Sequence, residues 1–358
     1  MEMASPQQVQ ISCSIQEMVK NPIHEIPSKF LVNPEPAAAQ IANPNFTSSS
    51  SPLPVVDMAA LVQEHDKMMR SSHLDNLHSI CKEWGVFQLV NHGVETSILE
   101  EVKYEIEEFY KLPVEDRLRY KVRPGDVEGY GQTVIHSAHQ KVDWADRFYI
   151  ITNPVSRRKP HLFPLLPMPL REGLETYLSA LANVSKIMLG LIAEALKIGK
   201  TEIQEMFEDG MQSIRVNYYP PCPEPDKVIG LTPHSDADGI TILLQVNGVE
   251  GFQIKKNGVW MPTSFLPEAF VITLGDVIEI LSNGVYRSVE HRAVVNSEKE
   301  RISIAMFFNP KFQAEVGPAP ALLAHQKPIF KTLGMEKYVT YFFSQRLNGK
   351  TFLDYMKI

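Results

Sequence analysis

The stretch LTPHSDADGITILLQVNGVEGFQIKKNGVWMPTSFLPEAFVITLGDVIEIL (231–281) decides the fold. It breaks into short β-rich runs, ITILLQV (240–246), FQIKK (252–256), VWMPT (259–263), AFVITL (269–274) and VIEIL (277–281). Asn-Gly pairs at 247–248, 257–258 and 283–284 sit at plausible turns. KKNGVW predicts a tight hairpin, because Asn-Gly tolerates the positive φ angles that a two-residue loop needs. Outward from this stretch, SIRVNYY (213–219) and RISIAMFF (301–308) continue the pattern. Many short strands with regular turns favour a sandwich or barrel over a parallel α/β sheet.

Upstream the texture is helical. After LPVVDM, read as a first strand from Leu53, helices are expected to about residue 205. Ser97 and Glu100 have the spacing of a capping box, and Leu99, Val102, Ile106 and Phe109 follow as one apolar stripe. From Leu170, a longer pattern puts Leu174, Leu178, Leu181, Ser185, Met188, Ile192 and Leu196 on one face and stops before Gly199. The fold class expected is mixed α/β (α+β), a jelly-roll core braced by helices. Its parts are a partly flexible arm (1–52) with a short helix at 14–20, a helical region (53–205), the jelly-roll core (206–312) and a C-terminal helical segment (313–358). The last carries a helix around 334–346, whose Tyr338, Tyr341, Phe342 and Phe343 could form a lid.

Of the 358 residues, 44% are hydrophobic and 22% charged, an ordinary balance for a globular chain. A formal charge of −7 and the lack of a basic run give no reason to expect nucleic acid or an anionic membrane surface as partner. Cys13, Cys81 and Cys222 are too sparse for a disulfide framework and fit a reducing compartment. The first residues lack the pattern of a signal peptide, and Lys186 and Glu194 interrupt the most apolar helical run. The expected setting is cytoplasmic, with the chain acting as a monomer on a small molecule.

The chemistry concentrates around HSD. His234 and Asp236 are two apart, so at a strand end they face one side. Alone this pair is weak, since each residue is more often an ordinary polar side chain. His291, separated from Asp236 by 54 intervening residues, could return to the same place across the hairpins of a rolled sheet. Two imidazoles and one carboxylate on one face of an octahedron leave positions open, as iron(II) oxygenases require. A closed zinc site would want four ligands, usually including cysteine. Arg301 and Ser303 share a strand face, and an inward Arg between Ile302 and Ile304 is costly unless it binds something. A guanidinium with a neighbouring hydroxyl suits the far carboxylate of a dicarboxylate. Asn217 and Tyr219 face one way and could assist, although core packing explains them equally well.

At this point the chain resembles the plant 2-oxoglutarate- and iron-dependent dioxygenases. The landmarks are WGVFQLVNHG (84–93), EGYGQ (128–132), VDWAD (142–146), NYYPPCP (217–223), HSD (234–236), His291 and RIS (301–303), in the family's order from about Leu53 to the C-terminus. Within the family, SIQEMVKN, CKEWG, RKPHLFP, IGLTPHSD, VVNSEKER and GKTFLDYMKI are similar to the senescence-related, opiate-alkaloid O-demethylase-like branch. The resemblance implies a double-stranded β-helix. It also implies catalytic iron(II) on His234, Asp236 and His291, and 2-oxoglutarate on Arg301 and Ser303 with support from Asn217 and Tyr219. Ascorbate is expected as a supporting reductant. His92 belongs to a fold motif and is expected to be structural. Val86 and Thr273 depart from residues common in the branch, at positions expected to touch neither iron nor carboxylate.

The activity implied is hydroxylation or O-demethylation of a small, aromatic plant metabolite such as an alkaloid, flavonoid or coumarin, coupled to conversion of 2-oxoglutarate to succinate and CO2. Tyr130, Arg215 and Phe307 match substrate-facing positions, with core packing a real alternative for Tyr130 and Phe307. Competing readings are an oxidase of this fold without 2-oxoglutarate, a non-oxidative enzyme, or a ligand-binding protein without turnover.

Overall fold

Strict alternation along RISIAMFF shows how the larger sheet works. Ile302, Ile304, Met306 and Phe308 lie in the main hydrophobic cluster with the helices, whereas Ala305 and Phe307 belong to a smaller cluster on the other side. The computed structural model describes residues 14–32, 51–132, 140–345 and 347–358. Its strands are β1 (Ser51–Pro52), β2 (Val55–Asp57), β3 (Val86–Val90), β4 (Gly129–Gly131), β5 (Asp146–Asn153), β6 (Gln212–Tyr219) and β7 (Leu231–His234). There follow β8 (Ile240–Gln245), β9 (Phe252–Lys256), β10 (Val259–Ser264), β11 (Phe270–Leu274), β12 (His291–Ala293) and β13 (Arg301–Phe308). The larger sheet runs β2-β3-β11-β8-β13-β6-β5-β4 and the smaller β1-β10-β9-β12-β7. Two largely antiparallel sheets that exchange consecutive strands form the expected jelly roll.

The outer face of the larger sheet rests on helices. Thr96–Lys111 buries Leu99, Val102, Ile106 and Phe109. Met168–Leu196 packs against that helix, Lys67–Glu83, Lys200–Phe207 and β8. By length and composition this 29-residue helix could cross a bilayer; here its apolar stripe, from Leu170 to Leu196, is buried in the protein. It ends where Lys197 turns left-handed at φ 60°.

Several expectations need correction. VIEIL is not a strand: Asp276–Leu281 is a helix with all six residues buried. A short apolar run buried on every side carries no period by which to tell the two apart. The helix expected to be capped by Ser97 starts at Thr96 with Glu95 as N-cap, and Ser97 Oγ instead donates to Glu95 Oε2 at 3.3 Å. Between residues 53 and 205 the chain is not simply helical, since it supplies β2 to β5 of the larger sheet. The short helix expected in the arm is present, but the residues after it are packed rather than loose. Ile15–Met18 is a helix, and Ile15, Ile26 and Phe30 are buried with Trp144 and Tyr219. Asp146 fixes it by accepting from Ser14 Oγ at 2.6 Å, Ile15 N at 2.9 Å and Gln16 N at 3.0 Å. Residues 1–13 and 33–50 of the arm, and residue 346 at the end of the expected C-terminal helix, lie outside the described residues.

The hairpin at KKNGVW is present: Val259 pairs with Lys256, and Asn257 and Gly258 take φ of 52° and 80°. Both positive angles identify the turn type that Asn-Gly favours.

Candidate active site

The site lies between the sheets. β7 ends on His234, β12 begins on His291, and the two histidines are paired directly across the antiparallel ladder. Their ligand atoms and that of Asp236 all lie within 4.8 Å of one another, and all three residues are buried. His234 Nδ1 is 2.8 Å from Thr232 O and His291 Nδ1 is 3.2 Å from Val289 O. A carbonyl can only accept, so each Nδ1 carries the proton and each Nε2 keeps a lone pair. Those Nε2 atoms face Asp236 Oδ1 at 3.4 and 3.7 Å. Three lone-pair atoms converging without a proton between them fit a shared cation. Burial pushes His291 down to about 4, outweighing Asp236, so the ring is a neutral donor at ordinary pH. Burial works against ionisation of Asp236, yet the imidazoles whenever they are protonated, and the Thr241 hydroxyl, hold its carboxyl below the usual range.

The other oxygen of Asp236 is also organised. Oδ2 accepts from Thr241 Oγ1 at 2.6 Å and from Thr273 Oγ1 at 3.1 Å. Thr241 Oγ1 lies 2.9 Å from Asp238 Oδ2 as well. One hydroxyl has one proton, so the second contact calls for a protonated Asp238, and burial beside Asp236 does push Asp238 well above the carboxylate range. Thr273 was expected to stay clear of the metal ligands; its bond to Asp236 corrects that. Both threonines face inward from β11 and β8, paired across the ladder at Thr273 and Thr241. The inner cue was a hydroxyl in an otherwise apolar strand.

Arg301, Ser303, Asn217, Tyr219 and Phe307 line one pocket with His234, Asp236 and His291. β13 and β6 place them in register, Arg301 opposite Tyr219 and Ser303 opposite Asn217. Arg301 is 2% exposed. Its Nε and Nη2 have no hydrogen-bond partner among the described residues, and Nη1 lies 3.5 Å from Ser303 Oγ. A buried guanidinium with idle donors is costly unless an anion completes it, and a carboxylate matches its fork. Two glycines make the room. A Cβ on Gly251 would lie 2.9 Å from Arg301 Cδ, and one on Gly230 would lie 2.9 Å from Tyr219 Cδ1. The donor set thus fits a dicarboxylate next to an iron site.

The same inner faces continue into a wider cavity bounded by Arg147, Tyr149, Arg215 and Phe307 from the sheet and by Tyr338, Phe342 and Phe343 from the C-terminal helix Met335–Ser344. Arg215 donates from Nε to Asn217 Oδ1 at 2.6 Å. Tyr341, grouped with the lid residues, turns away and stacks on Tyr355 with ring centroids 4.0 Å apart. Tyr130 is a correction. It is 1% exposed, pairs across β4–β5 with Phe148, accepts from Arg117 Nη1 at 2.7 Å and packs on the helical side against Phe109. The alternation that aims Phe307 inward aims Tyr130 outward. His92 lies outside the metal cluster, with Nε2 2.9 Å from Glu268 O and its ring 4.3 Å from Phe270. Sequence reading missed Arg147, Tyr149 and Thr241; of the residues it offered as a lid, Tyr338, Phe342 and Phe343 do line the cavity. A charged residue within DRFYIITN was the available signal for the first.

A clip joins the C-terminal segment to the metal strand. Gly349 N donates to Pro233 O at 2.9 Å and Ser235 N donates to Gly349 O at 3.2 Å. Lys350 Nζ then bonds Glu279 Oε2 at 2.6 Å and Ser288 O at 2.9 Å.

Comparison with known proteins agrees with this geometry. Residues 210–310 match the 2OG-Fe(II) oxygenase superfamily, and residues 53–166 match the N-terminal family described as non-haem dioxygenase in morphine synthesis. Protein SRG1 of Arabidopsis thaliana is 48% identical, with 96% of each chain covered. Oxoglutarate-dependent flavonoid 7-O-demethylase 1 of Ocimum basilicum is 44% identical over 96% of this chain and 91% of its own. Codeine O-demethylase of Papaver somniferum is 44% identical over 96% of each. Among solved structures, JOX2 in complex with 2OG, Fe and JA superposes with a TM-score of 0.85 at 30% identity, covering 96% of this chain and 97% of that one.

Proposed function

The chain belongs to the 2-oxoglutarate- and iron(II)-dependent oxygenases, and from that premise we propose that it hydroxylates or O-demethylates a small aromatic metabolite of plant specialised metabolism. The observation that carries this reading is the pair of idle donors on buried Arg301, beside a buried His–Asp–His cluster. Relatives that are O-demethylases of a flavonoid and of codeine support an aromatic, methoxylated substrate.

In this reading His234, Asp236 and His291 hold the iron, while Arg301, Ser303 and Tyr219 hold the remote carboxylate of 2-oxoglutarate. Iron with bound 2-oxoglutarate and dioxygen supplies an oxidant that can attack an unactivated C–H, with 2-oxoglutarate leaving as succinate and CO2. The protein positions and shields. The carbonyls of Thr232 and Val289 keep both imidazoles turned to the metal. Thr241 and Thr273 hold the outer oxygen of Asp236, so its inner oxygen stays aimed. Asn217, steadied by Arg215, orients the near carboxylate. Phe307, Phe342 and Phe343 offer ring faces to an aromatic substrate and keep water away. If the hydroxylated carbon is an O-methyl group, the resulting hemiacetal releases formaldehyde and leaves a phenol or alcohol. Cys81 and Cys222, both buried free thiols, support a cytoplasmic setting.

The test is succinate release by the iron-loaded chain with a panel of methoxylated alkaloids, flavonoids, coumarins and indoles, with mass analysis of products. The expected result is substrate-dependent succinate and a product heavier by one oxygen or lighter by one CH2. Ligand binding without succinate from any panel member would overturn the proposal.

A further inference from the structure

Two guanidiniums stand side by side on one wall of the substrate cavity. Along β5 and β6, Arg147 is in register with Asn217 and Tyr149 with Arg215, so the two arginines are diagonal neighbours on the inner face. Such neighbours lie roughly 7–8 Å apart, with their Cβ atoms somewhat closer, within joint reach of one small group. Arg147 is buried and donates from Nε to Gln132 O at 3.2 Å and from Nη2 to Val127 O at 3.4 Å. Arg215 donates to the amide of Asn217. These acceptors are neutral; they aim the arginines without cancelling their charge. Burial and the neighbouring Arg215 push Arg147 down to about 9, against the opposing influence of Tyr149 and Asp143. Asp143 does not line the cavity, and its Oδ1 already accepts from the backbone and hydroxyl of Thr232. Asp236 and Asp238, the acids that do line it, are joined through Thr241 on the metal side.

A buried guanidinium beside a second, half-buried one is unfavourable unless the bound state neutralises them. Arg215 also borders the 2-oxoglutarate end of the site, whereas Arg147 borders only the wider cavity. Arg147 is thus the group left to act on the organic substrate.

We propose that the substrate carries a carboxylate that seats against Arg147 and Arg215. This rests on the reading that the organic molecule is oxidised in this cavity, and it narrows the class from aromatic metabolites in general to aromatic acids. The planar forks suit a carboxylate bidentately. An ammonium group in the same place meets two cations of its own sign.

The test is anaerobic calorimetric titration of the iron(II)-loaded chain at saturating 2-oxoglutarate. The ligands are matched sets of acid, methyl ester and primary amine built on methoxylated cinnamic, benzoic and indole rings. In at least one set the acid is expected to bind about tenfold or more tightly than its ester, the value of one charged hydrogen bond, and the amine least. Arg147→Met should erase the preference and Arg147→Lys should keep part of it, with melting curves checking that both fold. An ester or amine that binds as well as its acid in every set overturns the proposal without any variant; so does absence of acid binding in every set, or a preference that survives Arg147→Met. Acid-selective binding with no succinate in air would keep this site and sink the oxygenase reading. Succinate formed with esters or amines and no acid preference would do the reverse.

Discussion

The two ends of the cavity are built differently. The inner end, with His234, His291, Arg301, Ser303, Asn217 and Tyr219, stands on four strands whose register fixes every side chain. The outer end is closed by Tyr338, Phe342 and Phe343 on one helix, brought in by the clip at Gly349 and Lys350. A sheet face offers rigid positions that many neighbours determine at once. A terminal helix held by a few bonds can change its side chains or its seat at little expense to the core. Reaction chemistry therefore belongs to the inner end and substrate choice to the outer one.

That contrast can be broken from either side. The largest effect is expected for Asp236→Ala, which removes a charged ligand from a buried site. Metal titration should show loss of tight iron(II) binding, and succinate release should fall to background. Arg301→Ala comes next: without the anchor, the KM for 2-oxoglutarate should rise about 100-fold, the worth of two charged hydrogen bonds, with metal affinity little changed. Equal 2-oxoglutarate kinetics in this variant would remove the anchor assignment. Thr241→Val keeps the shape but frees Asp236 to turn, and metal affinity should drop about tenfold. The smallest change is expected at the outer end. Lys350→Ala cuts the bond to Glu279 and should raise the KM of the organic substrate a few-fold while leaving that of 2-oxoglutarate alone. A matching rise in both would show that the clip serves the whole site.

The same contrast explains what could be read from the sequence. Arg301 and Ser303, or Asn217 and Tyr219, are two apart on one strand, and alternation alone puts each pair on one face. The meeting of His234 with His291 needed only a hairpin fold between them. Tyr130 failed because its three-residue strand gives too little alternation to choose a face, and its partner Phe148 lies on the helical side. VIEIL failed because total burial erases the helical period. Thr273 and Thr241 reach Asp236 from two other strands, and nothing local in either segment declares that convergence. Phe342 and Phe343 were legible as a lid over the cavity, but the backbone half of the clip at Gly349, bonded to Pro233 and Ser235, leaves no side-chain trace.

The most direct measurement is the affinity of wild-type chain for 2-oxoglutarate with and without iron(II), in the absence of oxygen. Binding through Arg301 alone is expected to be weak, and about 100-fold tighter once iron is present, since a second attachment point becomes intramolecular. Affinity that does not depend on iron, or no binding in either state, would contradict this.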